Sequence, residues 1–208
     1  MEVVMAIEIK SLVPKFGPDG NYHVGYIGFT YSEGNIISEG IAYFTRWHRM
    51  SDIKVSHALI VTGDNKCVEA HLETGVAEKD LSEYFNDPHC QIFFRKPKGL
   101  TSDIAKKIVE KAEEQKGCKY DLDLIEHMVE VHSIVGWTIN KLTRGGYENR
   151  ITLAHEGDDK WICSELAAHC LDEQPEYKDK GILSKLDATI DPQELFEDQT
   201  IFEPWKKA

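Results

Sequence analysis

The sequence predicts one mixed domain in which antiparallel hairpins precede a series of helices, and three observations lead there. Residues 5–12, 22–31, 55–61 and 67–71 read as strands, with alternation and a supply of Val, Ile, Tyr and Phe. Residues 101–117 switch to helical spacing, and further helical stretches follow them. The 208 residues hold no internal repeat and no Ser/Gly/Pro linker, so a single domain over residues 1–208 accounts for the chain.

Each element has a local reason. Gly17-Pro18-Asp19-Gly20 is a turn between the first two strand patterns and predicts that they form a hairpin. Ile36 to Arg49 reads as a helix or an irregular crossover. A second hairpin runs from Val55–Val61 through Gly63-Asp64-Asn65 into Cys67–His71. Over 101–117, Thr101 or Ser102 caps a helix whose stripe is Ile104, Ile108, Val109 and Ala112, and Gly117 ends it. Residues 121–143 are helical but uneven, and Ser133-Ile134-Val135-Gly136-Trp137 within them is apolar enough to cover a cleft. Another helix starts near Cys163 and runs to about Leu171, with Asp158 and Asp159 as cap chemistry upstream. Asp191-Pro192-Gln193-Glu194-Leu195 turns into a short helix near the end.

Composition excludes several functions. A net charge of -12 argues against nucleic-acid binding, since the phosphates would repel a chain without a compensating basic patch. The densest basic cluster, Arg95-Lys96-Pro97-Lys98, reads as a solvated loop. No apolar run approaches the ~20 residues of a transmembrane helix. The acidic start Met1–Lys10 lacks the pattern of a secretory signal, so the expectation is an unexported, cytoplasmic protein. Five scattered cysteines (Cys67, Cys90, Cys118, Cys163, Cys170) read as reduced thiols. Cys67-x3-His71 and His89-Cys90 lack paired zinc-ligand spacing, and no metal or cofactor is expected.

Two residues carry the chemistry. Cys163 opens a helix, where unsatisfied N–H groups and the dipole favour a thiolate and can receive an oxyanion. It also falls on an ordinary core stripe with Leu166, Ala167, Cys170 and Leu171, so a packed thiol is the competing reading. His57 lies on a strand and can hold the proton that a thiol loses, or it can simply be a satisfied structural histidine. Glu69 bears on that choice through register. With a three-residue turn at Gly63–Asn65, positions 57 and 71 oppose each other and Glu69 lies diagonally across from His57 on its face. A two-residue turn would put it on the other face. Tyr120, after the 101–117 helix, can donate to an oxyanion or serve as packing.

Together these residues resemble a known family. Ser56-His57-Ala58-Leu59-Ile60-Val61, then Val68-Glu69-Ala70 and Gly75-Val76, then Lys119-Tyr120-Asp121, then Trp161-Ile162-Cys163-Ser164-Glu165-Leu166 are similar to the circularly permuted NlpC-type papain-like amidases, the YiiX-like group. Gly25–Phe29 looks like that family's opening strand, Ile41–Thr45 like its helix before the His strand, and Thr189–Leu195 like its closing segment. The resemblance covers roughly residues 25–202, and Tyr26 stands where the family often has an acid. It implies a permuted papain-like α+β fold, with helices packed on an antiparallel, barrel-like sheet. It also implies Cys163 as nucleophile, His57 as base, Glu69 as orienter and Tyr120 nearby. The expected function is a cysteine-dependent hydrolase of a peptide-like amide bond acting through a thioacyl-enzyme. A lipid-directed acyltransferase or thioesterase, or a non-catalytic module binding a lipid or peptide, is the alternative. The expected partner is accordingly a small peptide-like or acyl substrate.

Overall fold

Strand β6 (Cys90–Arg95) is buried at five of its six positions and has a neighbour on each side. The computed structural model describes residues 7–10, 22–121 and 160–203. In chain order the other main strands are β1 (Ile7–Lys10), β2 (Ile27–Ser32), β3 (His57–Gly63), β4 (Lys66–His71) and β5 (Gly75–Asp80). With β6 they form one sheet in the order β1-β6-β2-β3-β4-β5, and every neighbouring pair is antiparallel. Two short strands, β7 (Lys119–Tyr120) and β8 (Lys160–Trp161), form a separate parallel pair. The helices are α1 (Ile36–Phe44), α2 (Ser82–Asn86), α3 (Ser102–Glu114), α4 (Cys163–Asp172) and α5 (Pro192–Glu197). The chain is therefore α+β, and among the described residues no helix is long and apolar enough to cross a membrane.

Side-chain alternation along the strands divides the core in two. Ile27, Phe29, Ala58, Ile60, Val68, Ala70 and Phe93 face α3 and α4, meeting Ile104, Ile108, Ala112, Leu166, Ala167, Cys170 and Leu171. Leu59, Val61, Cys67, Ile92 and Phe94 face the other way and are covered by Tyr22, Leu81 and Phe85 of the α2 region. Each such Leu, Ile or Phe taken fully out of water contributes about 1.5–3 kcal/mol before entropy is charged against it. Gly28 is needed where β2 passes under this second layer, because a Cβ there would lie 2.5 Å from Leu59 Cδ1.

The α3 expectation is met with one change. Thr101 caps the helix, its Oγ1 accepting from the Ile104 N–H at 3.3 Å, but Ala105 rather than Val109 completes the buried stripe. Gly117 follows with φ +91°.

Three expectations are corrected. The first two strands do not pair as a hairpin, because β6 lies between β1 and β2 and bonds to both. A strand buried on both faces belongs inside a sheet, and β6 takes that place. The sheet is also not barrel-like. Closure would pair the edge strands β1 and β5, yet the outer edge of β5 is bonded to the 117–118 backbone: Val76 N–H to Cys118 O and Gly117 N–H to Val76 O, both at 2.9 Å. Gly75, at φ +67°, permits that approach, since a Cβ would sit 2.3 Å from Cys118 O. Finally, Arg95 is no solvated loop residue. Its guanidinium is fully buried and donates to the carbonyls of Phe196, Asp198 (3.2 Å) and Glu203 (2.8 Å). Burial lowers its pKa to about 10, against the pull of Glu197 and Asp198. The turn at 17–20, the expected helical stretch 121–143 beyond its first residue, with its apolar segment 133–137, and Asp158 and Asp159 lie outside the described residues.

Candidate active site

The placement of Glu69 turns on the hairpin between β3 and β4. The turn itself is the two-residue type, since Gly63 opposes Lys66 across Asp64-Asn65. That alone would send Glu69 away from His57. An irregularity between Val61 and Gly63 adds one residue to β3 and resets the ladder, so that Val61 opposes Cys67 and Ile60 opposes Val68. Continued by one pair, this register sets Leu59 against Glu69 and leaves Glu69 on the His57 face. His57 Nε2–H donates to Glu69 Oε2 at 2.9 Å.

Two further residues hold the same carboxylate. Tyr84 on α2 donates its hydroxyl to Glu69 Oε2, and Lys79 on β5 places Nζ 3.5 Å from Glu69 Oε1. Burial by itself would raise the Glu69 pKa. His57, the Tyr84 hydrogen bond and Lys79 outweigh it and hold the carboxyl down at about 2. Tyr84 moves the other way: burial and then Glu69 push its pKa well up, so it remains a donor. The sequence reading missed both residues. Lys79 was legible only after register, because it opposes Cys67, one step diagonal from Glu69. Tyr84 adjoins Phe85, a buried residue of the short helix α2, and that pattern was the only signal.

His57 is the first residue of β3, at the sheet end where β4 finishes with His71. Alternation alone assigns its side chain to the face opposite α4. At the strand's end, however, the ring borders a cavity of about 390 Å³ that Cys163 and Tyr120 also line. With Nε2 engaged by Glu69, Nδ1 is the nitrogen left for Cys163, which lines the same cavity. Burial disfavours the charged ring, but Cys163 and Glu69, by charge and by hydrogen bonding, raise the His57 pKa to about 10. His71 stands 6.3 Å away, ring to ring, and its pKa is lowered by burial and by His57 against the pull of Glu69.

Cys163 is the first residue of α4 and is 3% exposed. At the start of the helix Glu165 Oε2 accepts from the Ile162 N–H at 3.2 Å. Burial, with Asp121 and Asp187 adding to it, raises the Glu165 pKa to about 7. The first-turn amides from Cys163 onward have no acceptor within the helix. Tyr120 reaches the cavity through the β7–β8 ladder, in which it opposes Trp161, two residues before Cys163. Burial, then Cys163 and Asp121, push its pKa far up, so its hydroxyl stays protonated. The structure thus brings His57, Tyr120 and Cys163 to one cavity wall, with Glu69 buried behind His57 and bonded to it.

Other sequence candidates lie elsewhere. All five cysteines are free; burial raises the Cys90 pKa to about 11 and raises those of Cys67 and Cys170 further. Cys67, His71, His89 and Cys90 form no ligand cluster among the described residues. His48, Asp191 and Glu194 do converge, but both His48 nitrogens already face carboxylates, at 2.6 and 3.5 Å, and Lys185 Nζ lies 2.6 Å from Glu194. That cluster ties the turn after α1 to α5.

A scan against protein-family models finds no match to the chain, and a search of curated proteins finds none either.

Glu69→Gln gives a direct reading of the buried pair. Gln keeps the shape and can still accept from Nε2–H, but it removes the charge, so turnover should fall about 10- to 100-fold. The stability effect has a fixed sign. A carboxyl lowered to about 2 stabilises the fold above its ordinary 4.5, and this is lost as pH falls toward 2. Urea unfolding should therefore show the variant weaker than wild type at pH 7, with the gap narrowing as pH falls below 4.5 and nearly gone at pH 2. A gap that widens in acid would contradict the assignment.

Proposed function

We propose that this protein is a cysteine-dependent hydrolase that cleaves a peptide-like amide bond through a thioacyl-enzyme, on a circularly permuted papain-like fold. The observation that carries the reading is the shared cavity wall on which His57 stands between the Glu69 carboxylate, at 2.9 Å, and the Cys163 thiol. The chain order His57, Glu69, Tyr120, Cys163, with the nucleophile last, accords with the permuted arrangement.

In this reading the thiolate of Cys163 attacks the carbonyl carbon while His57 is held as imidazolium by Glu69. The tetrahedral oxyanion forms beside the first-turn amides of α4 and the protonated Tyr120 hydroxyl. Losing one such donor typically costs 10²–10³ in rate. His57 passes its proton to the departing amine, and the acyl group remains on Sγ as a thioester. The neutral ring then takes a proton from water as the water attacks, the acid leaves, and the pair is restored. Glu69 is the positioning residue, Tyr84 and Lys79 its supports.

A small activated acyl amide supplies the test. After a brief incubation, intact mass should show one acyl adduct, mapped to Cys163 and removed by hydroxylamine as a thioester. An adduct on another cysteine, or the same adduct in Cys163→Ala, would overturn the proposal.

A further inference from the structure

Helix α1 breaks the usual rule for a surface helix. Asn35 caps it, accepting from the Ile37 and Ser38 N–H groups at 3.0 Å, and Ser38 and Ala42 are its buried residues. The outward side should then be polar. Instead Ile36 is 87% exposed, Ile37 and Tyr43 are exposed, and the following 3₁₀ turn (Arg46–His48) and its exit add Trp47 at 72% and Met50 at 75%. Five large apolar side chains therefore share one short segment, while single exposed apolar residues are what an ordinary surface carries.

The segment's charges select what it meets. Residues 36–50 hold Arg46 and Arg49 against one acid, Glu39, in a chain whose net charge is -12. Screening over ~8 Å at physiological ionic strength weights an encounter toward the two arginines on this segment, against Glu33 and Asp52, which flank it, and Glu73, Glu83 and Asp87, which line the cavity beside it. Arg46 lies between two rings, its guanidinium carbon 3.8 Å from the Tyr43 centroid and 4.3 Å from that of Trp47. Aromatic rings beside a cation, flanked by aliphatic side chains along one helix side, suit a helix lying in the interface of an anionic bilayer. Lys54, above the Tyr31 ring, adds a third cation near the end of β2.

The same helix borders the cavity. Ile37, Ser38 and Ile41 line it together with His57 and Cys163, so this side of α1 opens onto the cavity that holds the thiol.

We propose that α1 and the turn after it form a membrane-surface docking face, which presents the cavity mouth to an anionic bilayer and selects acyl donors carried in that bilayer. What happens to those donors rests on the thiol-hydrolase reading above; the docking does not.

The test is flotation of the full chain with vesicles of phosphatidylcholine alone and of equimolar phosphatidylcholine and phosphatidylglycerol. Wild type should float with the anionic vesicles and less with the neutral ones. Ile36→Asp with Trp47→Gln, both outside the cavity lining, should cut the bound fraction about tenfold or more. Arg46→Gln with Arg49→Gln should cut binding to anionic vesicles about tenfold and leave the neutral ones little changed. Wild type that floats with neither composition would overturn the proposal, as would an apolar double variant that floats like wild type. A dimer in sedimentation that the apolar pair dissolves would also overturn it, marking the face as a protein contact. Cys163→Ala is run alongside and should float like wild type. An inert thiol with intact flotation would remove the hydrolase reading and leave the docking face standing.

Discussion

Cys163→Ala should abolish turnover, by about a thousandfold or more, while costing at most about 1 kcal/mol of stability. The activity loss follows from removing the atom that forms the thioester. The small stability loss follows from position: the Cys163 side chain borders an existing cavity, so truncation opens no new sealed void. Cys170 makes the control. It is fully buried in the helix–sheet core on the same helix, and Cys170→Ala should keep turnover while costing about 1–2 kcal/mol. Rates and urea midpoints on the two variants decide the matter. Retained activity in Cys163→Ala, or a larger stability loss there than in Cys170→Ala, would return Cys163 to the core-stripe reading.

His57→Ala is the second large effect, with turnover expected to drop about 10³-fold, since proton transfer and thiolate formation both go with the ring. Its stability effect has the opposite pH sense to that of Glu69. The folded His57 pKa is raised from 6.5 to about 10, so the stabilisation it brings is complete below 6.5 and is lost as pH rises through 10. Wild type should therefore exceed His57→Ala in unfolding free energy most clearly at pH 6, with the difference shrinking toward pH 10. A difference that grows with alkalinity would mean that the ring is buried neutral and paired with nothing anionic.

Much of this site was legible as local pattern. The strand around His57, the helix opened by Cys163 and the turn at Asp191 into a short helix each follow from residues a few positions apart. What resisted were pairings between distant segments. Strand alternation around residues 5–12 and 22–31 says that both are strands, but nothing in either says that β6 separates them. The face of Glu69 hung on a single extra residue between Val61 and Gly63, and alternation cannot register such an insertion until the partner strand is seen. Arg95 looked solvated because charge and neighbours suggest it. The carbonyls that accept from it come from residues 196, 198 and 203, a hundred positions away. Tyr84 and Lys79 were hidden for the same reason, since their roles exist only relative to Glu69.

If His57 and Cys163 work as an ion pair, the pH dependence of Cys163 alkylation will show it. The rate with iodoacetamide should be read by peptide mass in wild type and in His57→Ala. The wild-type rate should be already high and nearly flat from about pH 6 to 8, and the variant rate low at pH 6 and climbing with pH. A slow wild-type rate that climbs in the same way as the variant would show an ordinary thiol beside an uninvolved histidine, with no ion pair between them.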